Sequence, residues 1–387
     1  MSTTPNPAQS ARHEAERRLR GFWTRLTEGF ELEQLWGQFL SEAKASYGLY
    51  SKDVDWEAIH REDKKWKRPL LGAWALFLAL LMKLSPARRV LLLIAVVLLV
   101  FQLHMGWNHA DINLGGLGAL ILFLLLALEL ADRVTMKRDL EIAREFQKML
   151  VPSRPPFVPR LDIAFTTRPQ NTVAGDYYDA FLRPLPDAAG TPSLIVVVAD
   201  VAGKSVPAAL LMATFQASLR ALAATPASLQ EIVMGLERYA RAHSLEGLRF
   251  TTAFLAEVNP GTHEMQYVNA GHNDPILRRA SGQMERLSLG GPPFGVPPFA
   301  EDQNLYPVGH VALRPGDLLI IFTDGVVEAL GENGEEFGEA RLLASVPSGG
   351  TESAADTLDS IMTQVNTFVG YVSQHDDITC LVVRVGS

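Results

Sequence analysis

Two long apolar runs, 90–103 (VLLLIAVVLLVFQL) and 114–128 (LGGLGALILFLLLAL), stand on either side of one short polar loop. Each extends to about 18–20 residues, enough to cross a hydrocarbon core about 30 Å thick. A water-soluble α/β domain does not place two such runs together without polar alternation between them. A further stretch, 69–82 (PLLGAWALFLALLM), is shorter. It spans with help from Leu84 and a snorkelling Lys83, or it lies re-entrant or in the interface. The candidate segments are therefore 69–84, 90–108 and 113–132, giving two or three transmembrane helices.

Lysine and arginine flank these runs unevenly. Lys64, Lys65, Lys67 and Arg68 precede the first stretch, Arg88 and Arg89 precede the second, and Arg133, Lys137 and Arg138 follow the third. The loop 104–113 carries neither Lys nor Arg. The positive-inside tendency puts that loop outside the cell (inner) membrane and everything after residue 132 in the cytoplasm. Basic residues on both sides of the first stretch pull against this order: either it does not cross, or the N-terminus lies outside against the charge rule. Net charge is −8, yet residues 1–150 hold 20 basic and 17 acidic side chains against 15 and 26 in 151–387. A basic half beside apolar helices suits membrane lipid, and an acidic half disfavours nucleic acid. An acidic domain that handles anions has to import positive charge, as metal ions do.

Residues 1–68 read as a helical region, soluble or at the membrane surface, with Leu19, Phe22, Leu26, Phe30, Leu35 and Leu40 at helix-like spacing. No cleavable secretion signal is expected, since the first long apolar run begins near residue 69. Residues 129–150 continue the last span as a helix, with Leu140, Ala143, Phe146 and Leu150 read as one face. That makes 133–152 a linker helix, packing on the next domain or on a second copy of the chain. Pro152, Pro155, Pro156 and Pro159 end it and open a domain over 153–387. There, short β-rich runs (193–198, 251–258, 264–268, 317–322, 378–385) alternate with helical stretches near 206–223, 227–243 and 352–368. Two of these helices adjoin in sequence instead of following one strand each. This predicts an α+β fold with helices on sheets, not a doubly wound parallel sheet. The single cysteine, Cys380, excludes an internal disulfide, and its apolar neighbours predict a buried side chain.

Four aspartates carry the chemistry, each beside a turn residue and next to a strand-like run. Asp176 lies in Val173-Ala-Gly-Asp-Tyr-Tyr-Asp179, and Asp200 closes Leu194-Ile-Val-Val-Val-Ala-Asp200. Asp324 closes Leu318-Leu-Ile-Ile-Phe-Thr-Asp324 before Gly325, while Asp376 and Asp377 open the final strand. Taken singly, each is a common turn or strand-end residue. Together, at the mouths of buried strands, carboxylates demand solvent, partners or metal. Strand ends that converge would make an oxygen-only site suited to Mg²⁺ or Mn²⁺.

In order and wording these residues resemble the SpoIIE/RsbU-type bacterial branch of the metal-dependent (type 2C-like, PPM) serine/threonine protein phosphatases. The resemblance runs from about residue 140 to the C-terminus. It comprises Ala143-Arg-Glu-Phe-Gln147 with Leu150-Val-Pro152, Gly175-Asp176-Tyr-Tyr-Asp179, Asp200-Val-Ala-Gly-Lys204 and Pro207-Ala-Ala209. Phe250-Thr-Thr252, Asn269-Ala-Gly-His272, Thr323-Asp-Gly325, Glu336-Phe-Gly338 and Asp376-Asp-Ile-Thr379 follow. It implies a four-layer α-β-β-α sandwich with metals held between the sheets at one end. It further implies two divalent ions, Mn²⁺ or Mg²⁺, on Asp176, Asp200, Asp324 and Asp376 and on the carbonyl of Val201, with Asp377 as ligand or support. The implied reaction is hydrolysis of phosphoserine or phosphothreonine on a regulatory partner protein by a metal-activated water, without a covalent intermediate. An anti-sigma-factor antagonist is one such partner. Two departures stand out: the family usually has Gly where this chain has Ala174, and often Gly where it has Ser205.

Two further residues have paired readings. His272 either protonates a leaving alkoxide or bonds nearby backbone. Lys204, the only lysine after Lys148, either approaches substrate phosphate or stays solvated. A catalytically silent receptor on the same fold and a membrane-bound nucleotidyl cyclase are the competing functions. The retained aspartates weigh against the first, and the order of the motifs against the second.

Overall fold

The computed structural model of the chain describes residues 68–105, 114–183, 192–244, 249–296, 305–347 and 352–386. The apolar spacing expected over 1–67 lies outside them, as does most of the loop 104–113. By contact the chain divides after Asp132 into two units.

The first unit holds helices α1 (Arg68–Lys83), α2 (Pro86–Met105) and the opening turns of α3 (Leu114–Leu150). At 1.5 Å per residue, the 20 residues of α2 reach about 30 Å, and the 16 residues of α1 fall short of that. Helices α2 and α3 are long and apolar enough to cross a membrane. Both leave large apolar side chains uncovered, among them Val97, Leu103, Phe123 and Leu126. They approach closely at Gly118, where an added Cβ would lie 3.0 Å from the Ala95 carbonyl oxygen. A small residue at such a crossing is what lipid-embedded helices use to bring backbones together. At one end of the pair, Arg88 bridges Glu129 at 3.3 Å and Asp132 at 2.7 Å.

The second unit begins within α3 at Arg133. It contains strands β1 (Leu161–Arg168), β2 (Tyr177–Arg183), β3 (Ser193–Val201), β4 (Thr251–Val258), β5 (Glu264–Ala270), β6 (Ile276–Arg278), β7 (Met284–Arg286), β8 (Gly290–Gly291), β9 (Gly309–Ala312), β10 (Leu318–Phe322) and β11 (Ile378–Val385). Its helices are α4 (Ser205–Ala223), α5 (Leu229–Ala242), α6 (Asp324–Val327), α7 (Gly338–Ser345) and α8 (Ala354–Val369). One sheet runs β1-β11-β10-β6-β7; the other runs β2-β3-β4-β5-β8, with β9 also on β5. All pairings are antiparallel except β5 with β8.

The strand period of two sorts the side chains into three cores. Val196 and Val198 of β3 meet Leu319, Ile321, Leu381 and Val383 between the sheets. Ile195, Val197 and Ala199 turn outward under α4 and α5. Ile320, Cys380 and Val382 turn the other way, under α7 and α8. The result is the expected α-β-β-α sandwich. Strands covered on both faces need no polar alternation, so 194–199 and 318–322 read as unbroken apolar runs. Helix α4 is also apolar enough to span a membrane by composition. Its Met212, Phe215 and Leu219 are instead buried against the sheet, so it is a core helix.

The linker face differs from the expected one. Leu140, Ala143, Gln147 and Leu150 are partly covered, whereas Ile142, Phe146 and Met149 are exposed, Phe146 at 62%. At 100° per residue, Phe146 is turned about 100° from Gln147 and joins Ile142 and Met149 in a separate apolar stripe.

Candidate functional site

Four chain segments come together at one edge of the sandwich. Asp176 immediately precedes β2, whose Tyr177 pairs with Ala199, so Asp176 lies alongside Asp200. Thr252 of β4 pairs with Asp200 on its other side. In the facing sheet, β10 ends at Phe322 opposite Cys380, and the Thr323 N–H continues the pairing to the Thr379 carbonyl at 3.0 Å. Continued, this register brings Asp324, the first residue of α6, level with Ile378, and Gly325 level with Asp377. The approach is so close that a Cβ on Gly325 would lie 1.9 Å from the Asp377 carbonyl oxygen.

The loop before β2 is held from three directions. Thr323 Oγ1 donates to Asp176 Oδ2 at 2.9 Å and itself accepts from the Thr379 N–H at 3.0 Å. Asp377 accepts the Gln170 N–H on Oδ1 and the Gly175 N–H on Oδ2, both at 2.6 Å. Gln147, on the linker part of α3, donates to the Ala174 carbonyl at 2.7 Å and accepts the Ala174 N–H at 2.9 Å. A Cβ on Gly175 would stand 3.2 Å from the Val201 carbonyl oxygen, so that carbonyl faces the same cradle. Asp376 is 44% exposed and faces Lys204, whose Nζ lies 3.2 Å from Oδ2 and donates to the His375 carbonyl at 2.6 Å.

The electrostatics follow from this crowding. Burial, then the Asp200 charge, holds the carboxyl of Asp176 well above the usual range. Burial and then Asp324, Asp376 and Asp377 push Asp200 up to about 7. Asp324 is raised by burial and by Asp376, with Lys204 opposing. Among the described residues, no group of three or more His, Cys, Asp or Glu side chains stands close enough together to hold a metal ion. The donor chemistry nonetheless fits divalent cations. It offers hard oxygen donors and buried acids that raise one another's pKa, with Lys204 as the cation paired with one of them.

The remaining predicted residues separate. His272 is buried; its Nδ1 lies 3.0 Å from the Thr252 hydroxyl. Burial pushes its pKa down to about 4, so the ring is neutral and supports the turn held by Asn269. Asp179, the second acid of the Gly-Asp-Tyr-Tyr-Asp run, faces away and pairs with Arg220 at 2.7 Å. Cys380 is buried, and burial pushes its thiol up to about 12, which removes it as a nucleophile. Of the two departures, Ala174 has an ordinary backbone, whereas Ser205 sits at φ 63°, where glycine is favoured. Sequence reasoning passed over Thr323, the pairing role of Gln147, and Arg168, whose Nε and Nη1 donate to Gln374 and Asn366, both at 2.6 Å. Gln147 stood within a quoted motif; Arg168 gave no signal, since its partners lie some two hundred residues away.

The family model described as Stage II sporulation protein E (SpoIIE) matches residues 191–386. Protein IcfG of Synechocystis sp. (strain ATCC 27184 / PCC 6803 / Kazusa) is 25% identical over 315 residues, covering 73% of this chain and 48% of its own length. Phosphoserine phosphatase RsbU of Bacillus subtilis (strain 168) is 28% identical over 253 residues, covering 64% of this chain and 70% of its own. The chain thus spans about half of the first relative and more of the second. The SiaA-PP2C domain of Pseudomonas aeruginosa shares the fold, with a TM-score of 0.56 at 21% identity over 66% of this chain and 98% of that domain.

Two outcomes follow from the geometry. Ser205→Gly relieves a left-handed residue and is expected to raise stability by about 1 kcal/mol in urea unfolding. An unchanged midpoint would mean that no strain is stored there. Asp200 keeps its proton up to about pH 7 when folded but releases it near 3.8 when unfolded. Between those values the folded state binds more protons, so without divalent ions the melting temperature should fall as pH rises through that window. Asp200→Asn should flatten the fall, and added Mn²⁺ should offset it.

Proposed function

Because the chain belongs to the SpoIIE family of PP2C-type protein phosphatases, we propose that it is a membrane-anchored, metal-dependent phosphatase of phosphoserine or phosphothreonine on a regulatory partner protein. The observation that carries the reading is the meeting of Asp176, Asp200, Asp324 and Asp376 at one edge of the two sheets. These four, with the Val201 carbonyl, would hold two divalent ions, Mn²⁺ or Mg²⁺. When bound, such ions supply the positive charge that acidifies an attacking water and offsets the phosphoryl oxygens.

The protein's own groups prepare that site. Thr323 orients Asp176, and Asp377 spends both oxygens on backbone N–H groups, which fits it for support while Asp376 faces the open side. Lys204 stands beside Asp376 as a movable cation for a phosphoryl oxygen. The neutral His272 positions Thr252 next to Asp200 and needs no proton-transfer role.

Anchoring rests on α2 and α3, with the Lys–Arg bias putting the catalytic unit on the cytoplasmic side of the cell membrane. The division into an N-terminal region, a membrane region, a linker helix and a catalytic domain follows the same reading. The linker is proposed to pair with a second copy through Ile142, Phe146 and Met149, while its Gln147 grips the loop that leads to Asp176. The partner is a phosphorylated regulator of the kind that includes anti-sigma-factor antagonists.

Detergent-solubilised full chain with Mn²⁺ is expected to release phosphate from an aryl phosphate and from a phosphoserine peptide. Asp200→Asn and Asp324→Asn should each reduce turnover by about a hundredfold or more. Folded wild type without metal-dependent turnover would point to the silent receptor, and cyclic nucleotide formed from a triphosphate would point to the cyclase. For the linker, Ile142→Asp with Phe146→Asp should lower both the mass seen by light scattering and the rate of phosphate release. If both stay as in wild type, pairing through this stripe is wrong.

A further inference from the structure

Beside the aspartate cluster lies a cavity of about 220 Å³. Of the four aspartates only Asp376 reaches its wall, next to Lys204; Asp176, Asp200 and Asp324 do not. It thus adjoins the ion site, sharing Asp376 and Lys204 with it but not the other three aspartates. Its far side is built around Arg168, the last residue of β1, paired with Ile378 of β11.

Arg168 is held by neutral groups. Its Nε donates to Gln374 Oε1 and its Nη1 to Asn366 Oδ1, each at 2.6 Å. Gln374 is fixed in turn, since its Nε2 donates to the carbonyls of Arg168 and Asp376, both at 2.6 Å. The guanidinium is therefore oriented by two amide oxygens, and among the described residues no carboxylate hydrogen-bonds or pairs with it. Amide acceptors fix its plane while leaving donors for a further group, an arrangement suited to a carboxylate or phosphate fork. The rest of the wall is mixed, with Leu330, Val369 and Ile378 as its larger apolar side chains beside polar ones such as Ser373 and His375. Glu328 also lines the cavity, as an acid that an incoming anion must be held away from. A short aliphatic stem ending in a carboxylate matches these surroundings.

We propose that this cavity is a specificity subsite in which Arg168 receives an aspartate or glutamate flanking the phosphorylated residue of the substrate. The inference deepens the phosphatase reading and rests on it. Binding at Arg168 would set an acidic side chain across the cavity from the wall that carries Asp376 and Lys204, and so fix the register of the substrate chain across the site.

The test measures kcat/KM with Mn²⁺ for phosphoserine peptides in which a single aspartate is walked along either flank, each against its asparagine counterpart. Wild type should favour aspartate over asparagine at one flanking position by about tenfold, the scale of one charge-assisted hydrogen bond. Arg168→Gln should bring that ratio close to one, and Arg168→Lys, which keeps charge without the fork, should leave part of it. If Arg168→Gln fails to fold, the Lys variant with its reduced ratio carries the test alone. A wild type without positional preference, or a preference that survives in both variants, overturns the subsite. An equal loss of turnover on aryl phosphate and on every peptide, with the ratio intact, would assign Arg168 to the reacting phosphoryl group. Failure of wild type to hydrolyse aryl phosphate would instead sink the phosphatase reading itself.

Discussion

Mutual repulsion among buried carboxylates is the constraint around which the catalytic unit is arranged. Asp176, Asp200 and Asp324 are each raised by burial and by the charge of another member of the group. A loop could not hold such a cluster, because it would splay and solvate its acids. Here the acids are fixed to the ends of strands that are apolar on both faces and clamped between helices. Those cores supply the stability that the acids subtract, and they leave the site with an unmet demand for positive charge. Lys204 meets part of that demand at its open side.

Asp377 shows how the two sheets are joined at this edge. Its carboxylate takes backbone N–H groups from the segments after β1 and before β2, and its carbonyl packs on Gly325. One residue thus ties β1, β2, β11 and α6 together around the acids. Bonds that share a hub in this way do not contribute independently. Loss of Asp377 would therefore disturb Asp176 and Asp324 at once, although neither acid is its direct partner.

Much of this was legible in the amino-acid order, for identifiable reasons. Runs such as 194–199 and 318–322 announce strands covered on both faces, and an aspartate closing each run marks where the burial ends. The α+β arrangement and the four acids follow from such local signals read in sequence, whereas the antiparallel four-layer sandwich was implied only by the family resemblance. What was not legible depends on register across the fold. Thr323 matters because β10 pairs with β11 so as to point its hydroxyl at Asp176. Arg168 matters because β1 ends level with Ile378, within reach of Gln374 and Asn366. Phe146 was misplaced by a simpler cause: spacings of three from Leu140 through Ala143 drift around the helix, and the covered face continues at Gln147 instead.

That displacement of one residue changes what the linker can do. Its covered face includes Gln147, bonded twice to Ala174, and its uncovered face carries Ile142, Phe146 and Met149. The two faces share one rigid helix, so a rotation that seats the outer stripe on another surface must move the inner glutamine as well. Two hydrogen bonds between a side chain and the backbone are worth about 1–3 kcal/mol together. A shift of that size changes the population of a correctly held loop by about 5–150-fold. It is comparable to a site-to-site coupling and smaller than the roughly 5–15 kcal/mol that typically holds a domain folded. Coupling through Gln147 would accordingly be graded, with the uncoupled state still folded and still able to gather its acids, only less often.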